Sequence, residues 1–315
     1  MKYENRKAII DCGTNTFHLL IVDTNIDGTY SVIHREKQPV KIGAGGIEKN
    51  IITDSAIERA ITTLQNFRTT IDINNVPLSN VKATATSAFR NAQNGLIVTK
   101  LIDQVTGIKI QIINGETEAN LIYNGVKKAV NLTKENSLIM DIGGGSVEFI
   151  LCNSDGIKWL KSYEIGGQRL LENFHLTDPI NQVEITKLTK YLNDQLNDLA
   201  TECEELNPTQ LIGASGTFDT FSAIYSTRFD DHFDENKTLS FNIPIQNTIE
   251  IIDDIIKKNK KERLTIPGMI PMRVDMIVVA SILVKKIILM LSFTKITTTT
   301  YALKEGILFS PDLLA

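Results

Sequence analysis

Leu138-Ile-Met-Asp-Ile-Gly-Gly-Gly-Ser-Val-Glu148 joins an apolar run to an acidic residue, three glycines, a serine and a second apolar run. Ser137 to Met140 reads as a buried strand with Asp141 at its end, and Val147 to Leu151 reads as the strand that returns. Glycine has no Cβ and reaches positive φ freely. Gly143, Gly144 and Gly145, with Ser146 beside them, therefore let backbone N–H groups close around an anion. Asp141 and Glu148 add two carboxylates next to that cradle, the usual way of holding hydrated Mg²⁺ near phosphate. Taken alone, the three glycines also describe a plain tight hairpin.

A second stretch has the same order of parts. Lys7-Ala-Ile-Ile-Asp-Cys-Gly-Thr-Asn-Thr-Phe-His-Leu-Leu-Ile-Val-Asp23 runs apolar strand, Asp11, Gly13, small polar residues, apolar strand. Placing Asp11 on Asp141 puts Gly13 on Gly143 and Thr16 on Ser146, an offset of 130 residues (141 − 11). That period is too long for a solenoid unit and suits two similar domains. Thr14, Asn15 and Thr16 become the first domain's counterpart of the glycine turn, and two such turns would grip one polyphosphate with a metal between them.

Composition narrows the classes. The chain has 315 residues, 42% hydrophobic and 22% charged, enough for two domains with their own cores. A net charge of −4 gives no global attraction for nucleic acid or anionic membrane, so a polyanionic substrate would be drawn by local cations and metal. Three cysteines, Cys12, Cys152 and Cys203, point to a reducing compartment, and Cys12 and Cys152 read as small core residues in strands. A charged N-terminal segment leads straight into the first strand, so no signal peptide is expected and the location read is cytoplasmic. Met276 to Phe293 is strongly apolar but carries Lys285 and Lys286, which argues for a buried or interface helix over a membrane span. Its greasiness predicts a homodimer.

The remaining elements follow from periodicity and punctuation. Tyr30 to Val40 reads as a third strand, ending in the loop Lys41-Ile-Gly-Ala-Gly-Gly46, which is either a ligand loop or a plain connection. Thr53-Asp54-Ser55 can cap a helix from Ala56 to about Thr70, with Ile57, Ile61, Leu64 and Phe67 on one face. Val81 to Ala85 is a short strand with Arg90 just beyond its end, where a lone arginine serves an ion pair or, in this context, a phosphate. Ile108 to Ile113 is a strand, and Asn114 opens a helix to about Val130 with Glu116 and Glu118 in its first turn. Position alone makes both glutamates favourable helix-terminal charge; the sharper reading has Glu118 orienting or deprotonating a water. In the second half, Ile157 to Ile165 is a strand and Gly166-Gly-Gln-Arg169 opens a helix to Phe174. Val183 to Cys203 is one long helix, and Gln210 to Thr217 is a strand with a Gly/Ser loop opening the helix Phe218 to Tyr225. Asn247 to Lys258 is a helix, Lys257 to Arg263 reads as its solvated basic end, and Thr297 to Thr300 is the last strand. His18, His34, His175 and His232 are scattered; His18 either reaches a phosphate or sits on a strand face.

Together, Asp11-Cys-Gly-Thr-Asn-Thr-Phe-His18, Ala85-Thr-Ser-Ala-Phe-Arg90, Gly115-Glu-Thr-Glu-Ala119, Asp141-Ile-Gly-Gly-Gly-Ser-Val-Glu148, Gly213-Ala-Ser-Gly-Thr217 and Leu303-Lys-Glu-Gly306 occur in this order. The paired turns resemble those of the actin, sugar-kinase and chaperone-ATPase superfamily. The ordered set, covering nearly the whole chain, resembles the exopolyphosphatase and guanosine pentaphosphate phosphatase family. Cys12, Val147 and the form of Gly213 to Thr217 depart from the family's usual residues without removing an acidic group.

The resemblance implies an α/β fold of two ribonuclease-H-like, actin-like ATPase domains with the active site in the interdomain cleft. The expected division is 1–125 and 126–300, with 301–315 packing back on the first. It implies Mg²⁺-dependent hydrolysis of a terminal phosphoanhydride. Glu118 would activate water, Arg90 would neutralise phosphate charge, and Asp141, Glu148 and Asp11 would serve the metal. Thr14, Asn15, Thr16, Gly143, Gly144, Gly145 and Ser146 would cradle phosphate. Longer family members carry extra C-terminal helical domains; with the sequence ending at Ala315, short polyphosphate or guanosine pentaphosphate is the expected substrate. Exopolyphosphatase is the leading expectation, guanosine pentaphosphate 5′-phosphohydrolase the alternative, and a non-catalytic sensor of either ligand the reading from another class.

Overall fold

A computed structural model describes residues 5–25, 29–229, 233–234, 237–291, 293 and 295–314. His232 lies outside the described residues. The chain divides into two compact units, Met1–Leu121 with Leu303–Ala315, and Ile122–Ala302.

In the first unit β1 (Arg6–Cys12) and β2 (Phe17–Thr24) form an antiparallel hairpin that sets Asp11 opposite His18, and β3 (Tyr30–Gln38) adds to β2. α1 (Asp54–Ile73) starts where the Thr53 hydroxyl accepts the Ala56 N–H, and returns the chain to β4 (Val81–Ala85), parallel to β1. α2 (Ser87–Asn91), α3 (Gly95–Thr106) and β5 (Ile110–Ile112), parallel to β4, complete a sheet ordered β3-β2-β1-β4-β5. The buried face of α1 is Ala56, Ala60, Leu64, Phe67 and Ile71, one position round from the predicted stripe, because alanines let the helix lie close to its neighbours. The sequence reading did not place α3. Its buried stripe of Val98, Ile102 and Thr106 is masked by Leu96, Ile97, Leu101 and Val105, which are apolar yet exposed.

α4 (Gly115–Ala129) contains the division between units. In the second unit β6 (Ser137–Ile142), β7 (Val147–Asn153) and β8 (Gly156–Tyr163) are antiparallel. α5 (Gly167–Phe174), α6 (Gln182–Gln195) and α7 (Asn197–Leu206) lead to β9 (Gln210–Ala214), parallel to β6. α8 (Gly216–Phe229), β10 (Ser240–Ile243), α9 (Ile245–Lys257), α10 (Lys260–Leu264) and α11 (Ile277–Met290) precede β11 (Lys295–Thr299). The order is β8-β7-β6-β9-β11-β10. Three antiparallel strands followed by two parallel ones is the plan of the first sheet, so each unit is ribonuclease-H-like, the second with β10 added at its edge. Every residue of β6 and β7 is buried, which is why their apolar residues do not alternate with exposed polar ones. α12 (Leu303–Phe309) belongs to the first unit and packs on β1; a Cβ on Gly306 would stand 1.9 Å from the Leu121 carbonyl oxygen.

One expectation needs correction, and one strand was not anticipated. The long helix from Val183 to Cys203 is two helices, broken at Leu196 (φ −109°, ψ 17°), whose side chain is buried. The break lets Asp198 accept the Tyr163 hydroxyl at 2.7 Å. β10 was not anticipated, being four residues long and cut off by Pro244. α11 is buried along most of its length within its own unit, against α9, α5 and α6, as its apolar composition expects. Among the described residues no helix is long and apolar enough to cross a membrane.

The His175 side chain, just after α5, is 5% exposed, and neither ring nitrogen has a hydrogen-bond partner among the described residues. Burial and the Arg263 charge hold its pKa below 6.5 against the opposing carboxylates of Asp178, Glu184 and Asp275. The folded chain therefore takes up this proton less readily than the unfolded chain. The associated stability is intact above the unfolded pKa of about 6.5 and is lost as pH falls below it. Thermal melts from about pH 7.5 to about pH 5.5 should show Tm falling more steeply for the native chain than for His175→Gln.

Candidate active site

The C-terminal ends of β1, β4 and β5 lie at one edge of the first sheet, since all three are parallel and in register (Cys12 with Ala85, Ala85 with Ile112). Ligand groups gather at such an edge. β1 delivers Asp11 and the turn Gly13 to Thr16, β4 delivers α2 with Arg90, and β5 delivers α4 with Glu118. Asn114 starts α4, its side-chain oxygen accepting the Thr117 N–H at 2.7 Å. Glu118 is buried while Glu116 is exposed. Arg90 Nη1 donates to Glu118 Oε2 at 2.8 Å and to the Ile113 carbonyl at 3.2 Å. The two residues read separately from the sequence are thus one ion pair, with the guanidinium fixing where the carboxylate stands.

The second sheet repeats the edge. Asp141 and Glu148 are register partners across β6 and β7, so their side chains share a face, and both are buried. Glu148 Oε1 accepts the Ser162 hydroxyl at 2.7 Å. The 130-residue offset places Glu148 on His18, so the first unit has an imidazole where the second has another carboxylate. Two carboxylates on one buried face are a donor set that, with water and phosphate oxygens, could hold Mg²⁺. Asp11 stands in the first unit, and among the described residues no group of three His, Cys, Asp or Glu side chains could hold a metal ion alone.

Both turns are held from behind in the same way. In the second unit the Gly143 N–H bonds the Ser146 carbonyl at 3.0 Å, closing the turn. The carbonyls of Gly143, Gly144 and Gly145 accept from the N–H groups of Gly167, Gln168 and Gly166 at 2.9, 2.8 and 3.1 Å, and Arg169 Nε adds a bond to Gly145. A trans peptide points its carbonyl and the next N–H in opposite directions. The N–H groups of Gly144, Gly145 and Ser146 therefore face away from α5, as an anion cradle requires. In the first unit the carbonyls of Thr14 and Asn15 accept from Gly43 and Lys41 at 3.1 and 2.8 Å, which turns the Asn15 and Thr16 N–H groups outward. The loop Lys41 to Gly46 thus backs the turn, and Arg59 secures it through the carbonyls of Val40 and Lys41 at 2.7 and 3.0 Å. The Thr14 hydroxyl is buried with no hydrogen-bond partner among the described residues.

Gly166 has φ −65° and ψ 161°, open to any residue, yet a Cβ there would stand 2.4 Å from the Gly145 carbonyl carbon. Gly166→Ala must displace the turn. A loss of about tenfold or more in kcat/KM is expected, with about 1–3 kcal/mol of stability lost as in other overpacked sites. Steady-state phosphate release and a denaturant melt on the purified variant check both.

Arg273 was not singled out from the sequence. It follows Pro271 in a short helical turn and lies flat on Gly216, where a Cβ would be 2.3 Å from its Nη2. Its guanidinium lines a small recess with Gly143, Gly167, Thr217 and Met276. Burial draws its pKa down, opposed by the Asp219 and Asp141 carboxylates. The one available signal was Gly216 itself, a bare backbone at a helix start that something must approach. The cysteines are not nucleophiles: burial pushes the Cys152 and Cys203 thiols up to about 12, and Cys12 is raised by burial and by Asp11.

Two backed anion turns, an arginine-held carboxylate and a buried carboxylate pair are the parts of a phosphoryl-group enzyme. The profile of the Ppx/GppA phosphatase family matches residues 21–314. The chain belongs to that family. It is 40% identical to an exopolyphosphatase of Cytophaga hutchinsonii whose crystal structure superposes with a TM-score of 0.93 over 97% of each chain. It is 31% identical over 297 residues to the bifunctional 3-dehydroquinate synthase/phosphatase of Fusobacterium nucleatum, covering 91% of this chain and 44% of that protein. It is 28% identical over 312 residues to the guanosine-5′-triphosphate,3′-diphosphate pyrophosphatase of Pseudoalteromonas translucida, covering 98% of this chain and 60% of that one. This Ppx/GppA chain thus spans less than two thirds of the length of these two curated relatives.

Proposed function

We propose that this Ppx/GppA chain is a Mg²⁺-dependent exopolyphosphatase that hydrolyses the terminal phosphoanhydride of inorganic polyphosphate in the cytoplasm. The observation that carries it is Glu118: a buried carboxylate fixed by Arg90 at the same strand edge as an anion turn. A carboxylate opposes anion binding, so a pure sensor gains nothing from it, whereas a hydrolase needs it to take the proton of the attacking water.

In the first unit the Asn15 and Thr16 N–H groups and the Thr14 hydroxyl would bind phosphate oxygens; in the second unit the Gly144, Gly145 and Ser146 N–H groups and Arg273 would do the same. Glu118 accepts the water's proton as its oxygen attacks the terminal phosphorus, and the shortened chain leaves with the bridging oxygen. Arg90 keeps the carboxylate aimed throughout. A cation held by Asp141 and Glu148 would neutralise phosphate oxygens.

The Cytophaga relative favours polyphosphate; the Pseudoalteromonas relative keeps guanosine pentaphosphate as the alternative, because both substrates end in the same anhydride. Phosphate release with Mg²⁺ on short polyphosphate, long polyphosphate and guanosine pentaphosphate in parallel tests the reading. Release from polyphosphate supports it, release from the nucleotide alone replaces it with the alternative, and binding without release makes the chain a sensor.

A further inference from the structure

The basic run Lys257 to Arg263 reads as a solvated helix end, yet the Arg263 side chain is only 1% exposed. Burying a guanidinium is expensive unless every donor is directed to a partner. Arg263 Nε donates to the Val274 carbonyl at 3.0 Å, and Nη1 to Asp178 Oδ1 at 2.8 Å and to the Lys258 carbonyl at 2.5 Å. Asp178 also accepts the Lys260 N–H at 2.6 Å, and the Lys260 ammonium reaches Asp275 at 2.8 Å. Val274 and Asp275 directly follow Arg273. The segment carrying Arg273 is therefore gripped at two consecutive residues by groups that both return to Asp178. Inside the segment, the Arg273 N–H bonds the Ile270 carbonyl at 2.9 Å, and Met276 packs on Gly167, where the backing of the glycine turn begins.

We propose that Arg263 and Asp178 are positioning residues that hold Arg273 on Gly216, beside the Gly143 to Ser146 turn, so that its guanidinium meets the phosphate chain. Neither touches the substrate; both act through Arg273. The inference rests on the function proposed above for this site. Arginine is required at 263 because its fork bonds the Val274 carbonyl and Asp178 together, which a lysine ammonium cannot reproduce.

The test is a double-mutant cycle on the full chain. Arg263→Lys keeps charge and most of the volume, Asp178→Asn keeps an acceptor, and Arg273→Gln removes the positioned group. Arg263→Lys and Asp178→Asn should each lower kcat/KM on short polyphosphate by about tenfold, the scale of a small misplacement. In the Arg273→Gln background, Arg263→Lys should add less than about twofold, since its effect has already been removed. A purely structural arginine gives one of two other results, and either overturns the inference: a lower Tm with unchanged kcat/KM of the folded enzyme, or losses that multiply in the double variant. Calorimetric binding of tripolyphosphate is run on the same five proteins. If the native chain binds but does not hydrolyse, the catalytic reading fails alone and the same non-additivity is read in Kd. If it neither binds nor hydrolyses, both readings fall.

Discussion

Glu118→Gln is expected to lower kcat by about a hundredfold or more, the usual contribution of a positioned general base. The amide has nearly the same shape, and its oxygen can still accept the Arg90 bond, which is 2.8 Å in the native chain. What it lacks is the charge that takes a proton. Glu118→Asp separates position from charge: the carboxylate survives but is withdrawn by about one carbon–carbon bond, and a misplacement on that scale still removes much of the rate. Arg90→Met gives the opposite pattern. It leaves a carboxylate with 8% side-chain exposure without its charged partner, so about 3–5 kcal/mol of stability should be lost along with activity. Turnover on short polyphosphate alongside thermal melts distinguishes the three. Native turnover by Glu118→Gln would remove this residue from the chemistry and leave the Arg90 pair as a structural staple.

The parts of the site that were legible in sequence are those built by neighbours in the chain. Asp11 with Gly13 and Asp141 with Gly143 to Gly145 are local devices: an acid at a strand end and residues that allow a tight turn. The same period placed both hairpins, and the closing bond of the second, Gly143 to Ser146, spans only three residues. What the sequence did not show is what presses on those turns from elsewhere. Gly166 to Gln168 and the loop at Lys41 to Gly43 look like ordinary connections until their N–H groups are seen on the turn carbonyls. Arg273 and Arg263 are harder still, because their partners Gly216 and Asp178 are remote in sequence; the Arg263 to Asp178 pair spans 85 residues. A basic run signals solvent on average, and only the fold shows which member of it turns inward. α3 escaped for a related reason: its exposed leucine, isoleucine and valine blur the period its buried face would otherwise display.

Glu148→Gln is expected to reduce Mg²⁺-dependent turnover by at least about a hundredfold, on the scale of other charge-stabilising groups, and to remove most of the stability gained from the cation. Glu148 is 1% exposed and faces Asp141 across the hairpin. With a chelator present, the native chain buries two carboxylates on one face of the hairpin, with the Arg273 charge near Asp141. The glutamine keeps the Ser162 hydrogen bond and removes one of the two charges, so the variant's Tm in chelator should equal or exceed that of the native chain. Added Mg²⁺ should then raise the native Tm, since a ligand at about a hundredfold excess over its Kd stabilises by about 2.7 kcal/mol. The variant should gain little. The crossing of the two proteins in the melts needs no substrate, so it tests the cation site independently of the reaction. An equal rise for both would place the cation elsewhere and leave Glu148 as a buried partner of Ser162, whereas a rise confined to the native chain ties the cation to this carboxylate pair.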